Sequence, residues 1–132
     1  MTRELFWLTL TVILTGILWI PYSINRTQVR GLSGAMANPS RGDKPHAPWA
    51  TRLMFAHDNA VENLVIFATL VLILNALDYS TTWTALAAAV FFWARLAHVI
   101  VYAVGIPVFR TAAFTVGFLA QVVLVLGIFK VV

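Results

Sequence analysis

The chain has 132 residues, of which 61% are hydrophobic and 11% are charged. Soluble domains are about half apolar and about a quarter charged, and a short chain has little interior in which to bury so much apolar surface. The composition therefore argues against a soluble domain and favours a protein whose outer surface is covered by lipid. The net charge of +4 comes from nine Lys and Arg residues spread over loops and helix ends, so it indicates membrane topology rather than nucleic-acid binding.

Four segments are long and apolar enough to cross a bilayer, which requires about 20 mostly apolar residues. They are predicted as helices at about residues 4–25, 49–77, 81–104 and 110–132. The expected fold is all-α, an integral membrane four-helix bundle that forms one domain over residues 1–132. Pro21 is expected to kink the first helix. The first apolar run is too long for a cleaved signal peptide, so a retained helix is predicted.

The connections between these helices predict their arrangement. Residues 26–48 are rich in Gly and Pro and are expected to form a loop, whereas 78–80 and 105–107 are tight turns that make neighbouring helices antiparallel. One end of the bundle then collects most of the cations, namely Arg26, Arg30, Arg41, Lys44, Arg52 and Arg110. Positive residues favour the cytoplasm, so this end is predicted to lie inside.

Polar residues within the second helix are the first candidates for a binding site, because charges at membrane depth are costly and commonly functional. At 3.6 residues per turn, Arg52, Asn59 and Asn63 share one stripe. Glu62 lies beside that stripe and Asp58 lies beyond it. A carboxylate such as Glu62 must be neutral or paired on an apolar face.

The third and fourth helices add further polar residues at the same end. Three of them share one face of the third helix at spacings of three and four residues, namely Arg95, His98 and Tyr102. The fourth helix presents a stripe of Arg110, Phe114, Gly117 and Gln121. Gly117 permits close helix approach, and Gln121 is expected to form a hydrogen bond between helices. Guanidinium groups suit carboxylates and Glu62 suits an amine, so the whole set fits a zwitterionic ligand with an excess of carboxylates.

Each of these residues also has a structural interpretation. For Arg52 and Arg110 taken alone, extension into lipid head groups is the better explanation. A buried ion pair between Glu62 and Arg95 is weighted equally with ligand contact. A single His98 is more often a buried histidine than a catalyst. The convergence of the group on one end of the bundle favours a binding site.

The sequence contains no Cys, which excludes disulfides, thiolate metal ligands and a cysteine nucleophile. His57 and Glu62 lie five positions apart, which is not a standard ligand spacing, so no metal site is predicted. There is also no phosphate-binding glycine loop and no serine nucleophile elbow.

Three groups of residues, taken in order along the chain, resemble one known family. They are Gln28-Val29-Arg30 with residues 35–39, the segment Ala-His-Asp-Asn-Ala-Val-Glu-Asn at 56–63, and Arg95-Leu96-Ala97-His98 with Tyr102, Pro107 and Arg110-Thr111. Together they resemble the membrane-associated proteins in eicosanoid and glutathione metabolism, the MAPEG family. The resemblance implies a four-helix subunit that assembles as a homotrimer and binds glutathione between neighbouring subunits near the cytoplasmic face. It also implies the conjugation of glutathione to lipophilic electrophiles, or the reduction of lipid hydroperoxides.

The resemblance assigns roles by position. The implied glutathione contacts are Asn59, Glu62, His98, Tyr102 and Arg110, with Arg30 reaching in from the adjacent subunit. Arg110 and the hydroxyl of Thr111 are the implied catalytic groups, because a cation and a hydroxyl donor lower the pKa of the thiol and favour the nucleophilic thiolate. The cosubstrate brings the sulfur, so the chain needs no cysteine of its own.

This sequence departs from the family pattern in three places. Asp58 stands where glutathione-using members commonly have Arg, Ser40 and Arg41 follow Asn38-Pro39 where acidic residues are common, and the stretch between Tyr102 and Arg110 is shorter. The leading hypothesis is a glutathione-dependent transferase or peroxidase in a bacterial inner membrane. Its expected partners are further copies of the same chain, membrane lipid and a hydrophobic small-molecule substrate. The alternative is a non-catalytic protein of the same fold that binds a lipid or a partner. A small transporter subunit fits less well, since no pair of broken helices is evident.

Overall fold

The computed structural model describes all residues from 1 to 132 and contains helices joined by short connections. The helices are α1 (Arg3–Ile17), α2 (Trp19–Met36), α3 (Pro48–Ala76), α4 (Thr82–Val104) and α5 (Pro107–Ile128). Since α1 and α2 follow one another as one rod, the chain has four rods that are long and apolar enough to cross a membrane. The predicted all-α four-helix membrane bundle is confirmed.

The break between α1 and α2 lies one turn before Pro21. Proline has no N–H, so the carbonyl of Ile17 lacks its donor four residues on, and the helix is interrupted at Leu18. The Leu18 N–H instead bonds to the Thr15 carbonyl, three residues back, at 3.3 Å. Pro21 therefore perturbs the first rod where the sequence predicted a kink.

The first rod does not end near Asn25 as predicted but continues to Met36, so the predicted loop at 26–48 shrinks to 37–47. Residues 26–30 contain Arg and Gln, which are good helix formers, and no helix breaker. The glycine-rich stretch acts later, because Gly31 adopts φ 71° and ψ 170° inside the helical segment and bends it there.

The core lies along α4, which packs against the other three rods. Near its middle, the rings of Phe67 and Phe91 stack with centroids 3.9 Å apart. Leu8 from α1 and Leu124 from α5 belong to the same buried cluster. Ala88 is fully buried beside them and allows close backbone approach. In lipid such packing replaces the hydrophobic effect as the main source of helix association.

The far end of the bundle is held by a buried carboxylate. Glu4 is only 2% exposed and accepts hydrogen bonds from the hydroxyls of Ser80 and Thr84. Thr84 lies in the first turn of α4, and Ser80 directly precedes Thr81, the residue that caps this helix and forms a capping box with Thr84. The positive end of the helix dipole stabilises a carboxylate at this position.

Candidate functional site

A buried guanidinium forms the inner end of the candidate site. Arg95 is 2% exposed, and its Nη1 donates to the Asn59 Oδ1 at 2.9 Å, whereas its Nε and Nη2 have no hydrogen-bond partner. The guanidinium carbon lies 5.5 Å from the centre of the Phe114 ring. Gly117 lets it approach the α5 backbone, since a Cβ there would lie 3.5 Å from the Arg95 Nε. The ion pair with Glu62 that the sequence allowed is not formed, and Asn59 takes its place.

Three further side chains continue from Arg95 toward the end of the bundle. His98 is 3% exposed and its Nδ1 has no partner. Its ring meets the Tyr102 ring edge-on at 5.5 Å, and the Arg110 guanidinium carbon lies 4.4 Å from the centre of the Tyr102 ring. Such a cation over an aromatic face is held by the ring quadrupole. The predicted common face of Arg95, His98 and Tyr102 is therefore present in the folded chain and meets α5 at Arg110.

A groove of about 450 Å³ runs beside this cluster between α3 and α5. Its lining includes three amides, one carboxylate and six apolar side chains, namely Asn59, Glu62, Asn63, Ile66, Leu70, Phe114, Phe118, Gln121, Val122 and Val125. The Gln121 Nε2 donates to the Asn63 carbonyl at 3.3 Å, which confirms the predicted hydrogen bond between helices. Glu62 is exposed and is the single charged group in the lining.

Two predicted site residues stand apart from the buried cluster. Thr111 is exposed beside Arg110, and its hydroxyl donates to the Pro107 carbonyl of its own helix at 3.2 Å. Arg30 lies near the end of α2, where its Nη1 is 3.1 Å from the Asp43 Oδ2. Within one chain, Arg30 contributes nothing to the cluster around Tyr102.

The loop that holds Arg30 has its own electrostatics. Hydrogen bonds from the Ser40 N–H and hydroxyl lower the pKa of Asp43, and the nearby Arg30 lowers it further. Burial lowers the pKa of His46, and the positive charges of Arg30 and Arg26 act in the same direction. The loop therefore keeps an ionised carboxylate against Arg30 and favours a neutral imidazole at His46.

Arg52 has neither of the roles considered for it. Its Nε donates to the Ala103 carbonyl at 2.9 Å and its Nη2 to the Val104 carbonyl at 3.4 Å. It therefore satisfies carbonyl groups that the last turn of α4 leaves free, where Gly105 ends the helix with φ 94°. Arg52 joins α3 to the end of α4 and does not extend into lipid head groups.

Other polar contacts were not identified from the sequence. The Asn25 Oδ1 accepts the Ala47 N–H at 3.0 Å and lies 3.3 Å from the His46 Nδ1, which fixes the start of α3 against α2. The Tyr22 hydroxyl and the His57 Nδ1 share a hydrogen bond of 2.9 Å. The sequence shows these residues only as polar positions within mostly apolar helices, and periodicity alone does not identify their hydrogen-bond partners.

Comparison with known proteins places this arrangement in a family. No curated protein sequence gives a significant match to the chain. A family model described as "MAPEG family" matches residues 5–130, which include every residue of the cluster and all of the four membrane rods except Arg3 and Glu4. The chain therefore belongs to the MAPEG family, as its motifs predicted, and is an integral multi-pass membrane protein.

Proposed function

We propose that the protein is a glutathione-dependent transferase or peroxidase that acts on lipophilic electrophiles. The main support is the row of Arg95, His98, Tyr102 and Arg110 at one end of a membrane bundle. None of its cations is paired with a carboxylate of the chain, and buried nitrogen atoms of Arg95 and His98 lack partners. Buried polar groups are normally hydrogen-bonded, so unused donors at this depth point to an anionic ligand.

The residues of the site fit the groups of glutathione. Its carboxylates suit the guanidinium groups, its ammonium group suits Glu62, and the amide of Asn59 can bond to the peptide. Arg110 and Thr111, the fourth and fifth residues of α5, are the proposed thiolate stabilisers. In the transferase reaction the thiolate sulfur forms a bond to an electrophilic carbon, the leaving group departs with the electron pair, and the thiol proton passes to solvent.

The apolar side of the groove supports a lipophilic second substrate. Ile66, Leu70, Phe118, Val122 and Val125 line the groove and extend it along α3 and α5 away from the cation-rich end. Apolar walls with few polar groups are typical of sites for small hydrophobic molecules. A substrate dissolved in the membrane would reach the sulfur from this side.

The proposed assembly is a homotrimer in which neighbouring subunits complete the site, and Arg30 of one subunit is proposed to contact glutathione bound at the next. Support comes from α3, whose outward face exposes Asp58 and Glu62. A carboxylate that faces hydrocarbon is costly, so this face is better covered by protein than by lipid. The cation-rich end, which contains Arg26 and Arg110, is proposed to lie at the cytoplasmic face of a bacterial inner membrane.

The first experiment is a glutathione titration of the detergent-solubilised protein, with thiolate absorbance and thermal stability measured together. We expect both to rise. Arg110→Ala should lose the thiolate signal, whereas Arg3→Ala, which removes an exposed cation at the opposite end, should keep it. A wild-type protein that shows neither response at millimolar glutathione would falsify the thiol function. Unchanged thiolate absorbance in Arg110→Ala would remove Arg110 from its role.

The second candidate function is a non-catalytic protein that binds an amphiphilic lipid. The same groove favours it, because six of the ten lining residues are apolar and Glu62 is the single charge among them. An amphiphile that stabilises the protein, while glutathione has no effect, would support this function over the enzyme.

A further inference from the structure

Arg26 on α2 is a half-buried cation that no other residue of the chain binds. The single ion pair in the chain joins Arg30 to Asp43, so Arg26 has no carboxylate within 4.0 Å. Its guanidinium donates no hydrogen bond to the chain, and its Nε is buried without a partner. Buried donors are normally hydrogen-bonded, so these free N–H groups indicate an acceptor that comes from outside the chain.

The position of Arg26 along the first rod puts it at the level of lipid head groups. Between Glu4 and Arg26 the rod contains no charged residue. At about 1.5 Å per residue this segment spans about 33 Å, which is close to the hydrocarbon thickness of a bilayer, about 30 Å. Arg26 therefore lies where the phosphate groups of one leaflet lie.

A groove lies beside Arg26 on the outward side of α2. The opposite side of this helix faces α3, where Tyr22 bonds to His57 and Asn25 bonds to the Ala47 N–H. At 3.6 residues per turn, Arg26 lies at the edge between these two sides. The groove has a volume of about 470 Å³. Its lining consists of Trp19, Ile20, Ser23, Ile24, Thr27 and Gln28.

The groove changes from apolar to polar along its length. Trp19 and Ile20 begin it on the side of the membrane centre, and Thr27 and Gln28 end it beyond the level of Arg26. The Thr27 hydroxyl donates to the Ser23 carbonyl at 3.2 Å, whereas the Ser23 hydroxyl has no acceptor in the chain. A phospholipid has the same order of groups, an apolar chain followed by a phosphate. Guanidinium and hydroxyl donors both suit phosphate oxygen atoms.

We infer that the outward side of α2 is a binding site for a membrane phospholipid. The phosphate accepts hydrogen bonds from Arg26 and Ser23, and one acyl chain lies along Trp19, Ile20 and Ile24. This site is separate from the groove between α3 and α5, and it does not depend on the proposed thiol function.

The charges around Arg26 favour a phosphate over a cationic ligand. The Asp43 carboxylate is paired with Arg30, and the same loop adds the exposed cations Arg41 and Lys44. Asp58 is the other carboxylate in this region, but it belongs to α3, lies near Tyr22 and does not line the groove. The groove therefore meets an excess of positive charge at its polar end.

The test measures lipid binding to the detergent-solubilised protein by native mass spectrometry. The probes are dioleoylphosphatidylglycerol, dioleoylglycerol, which has the same chains without a phosphate, and glycerol 3-phosphate, which has a phosphate without chains. We expect the phospholipid to bind about tenfold more tightly than dioleoylglycerol, which is typical of hydrogen bonds to a charged group. Glycerol 3-phosphate should bind at least about tenfold more weakly than the phospholipid, because it buries no apolar surface.

Variants assign the phosphate preference to this site. Arg26→Gln should bring the phospholipid and dioleoylglycerol to within about twofold of each other. It breaks no contact within the chain, so the melting temperature without added lipid should not change. Ser23→Ala should weaken the phospholipid about threefold and leave dioleoylglycerol unaffected. Arg41→Gln is the matched control, because it removes an exposed cation from the same end of the bundle without touching the groove, and it should keep the preference.

Three results would overturn the inference. Equal binding of the phospholipid and dioleoylglycerol to the wild type would show that no phosphate is recognised. Equal losses in Arg41→Gln and Arg26→Gln, with Ser23→Ala unaffected, would assign the preference to general attraction between anionic lipid and the cation-rich end. Binding of glycerol 3-phosphate as tight as that of the phospholipid would make the ligand a soluble phosphate compound.

Discussion

At the residue scale, Arg95 is a buried cation that the ligand-free protein leaves largely unpaired. Its one protein partner is the neutral amide of Asn59, and two of its nitrogen atoms are buried without any partner. The rings of Phe91 and Phe114 partly compensate the charge through their faces. A buried cation without a counterion lowers stability, so its presence is better explained by ligand binding than by folding.

The unpaired charge of Arg95 predicts the behaviour of Arg95→Met. Removing a buried, uncompensated charge while keeping a side chain of similar length should leave the melting temperature of the ligand-free protein unchanged or higher. The thermal stabilisation by glutathione should be lost, because the anion-binding group is gone. Arg52→Met is the matched control: it removes carbonyl bonds at the end of α4, so it should lower stability but keep the glutathione response. Loss of about 3 kcal/mol or more in Arg95→Met, with the response retained, would assign Arg95 to structure.

The partner of Arg95 also shows where sequence reasoning stops. Periodicity correctly placed Arg95, His98 and Tyr102 on one face of α4, and it placed Asn59 and Glu62 within one turn of α3. It could not decide which of the two meets Arg95, because that depends on the axial shift between α3 and α4. In the structure Asn59 lies at the level of Arg95 and Glu62 turns outward. Charge complementarity favoured Glu62, and packing placed the amide there.

At the scale of elements, the sequence predicts a helix end well where a short turn with Gly and Pro follows the helix. It predicts the end poorly where a long polar segment follows. The turn at 105–107 was expected from its Gly and Pro, and α4 ends there with Gly105 in the left-handed region. The predicted end of the first rod is wrong because the polar composition after Asn25 favours a loop, although nothing in residues 26–30 prevents a helix. A rod that projects beyond the apolar layer looks like a loop by composition alone.

The contact between Arg52 of α3 and the C-terminal end of α4 leads to a prediction about Gly105. Gly105→Ala should destabilise the protein by about 1 to 2 kcal/mol, since an alanine at φ 94° is strained. A Cβ there would also lie 3.1 Å from the Arg52 Nε. Gly16→Ala is the control, because Gly16 is inside α1 and its Cβ would meet open space. That variant should be neutral or slightly more stable. Equal melting temperatures for the two variants would contradict the role of Gly105 as the end of α4.

At the scale of the whole molecule, composition predicts the number of membrane crossings, and the order of the motifs along the chain predicts the family. Neither predicts how copies of the chain assemble. Crossing a bilayer imposes a length and an apolar composition that four segments meet, so the bundle was predictable. The structure adds an asymmetry between helices. The outward residues of α4 are uncharged and include Trp83, Trp93 and Ile100, whereas the outward face of α3 contains two carboxylates. These faces suit different surroundings: lipid for α4 and protein for α3.

This asymmetry predicts that a tryptophan introduced on α3 disturbs the assembly and that one introduced on α4 does not. Val65 on α3 and Ile100 on α4 are similarly exposed in one chain, at 63% and 54%. Val65→Trp should place a large ring in the proposed contact between copies and shift the protein toward monomers, because a packed interface tolerates little added volume. Ile100→Trp should leave the copy number unchanged, because lipid accommodates the ring. Native mass spectrometry in detergent gives the copy number directly, and the expected wild-type value is three. If Val65→Trp assembles as well as the wild type, α3 faces lipid, and its two carboxylates then require a partner other than a neighbouring subunit.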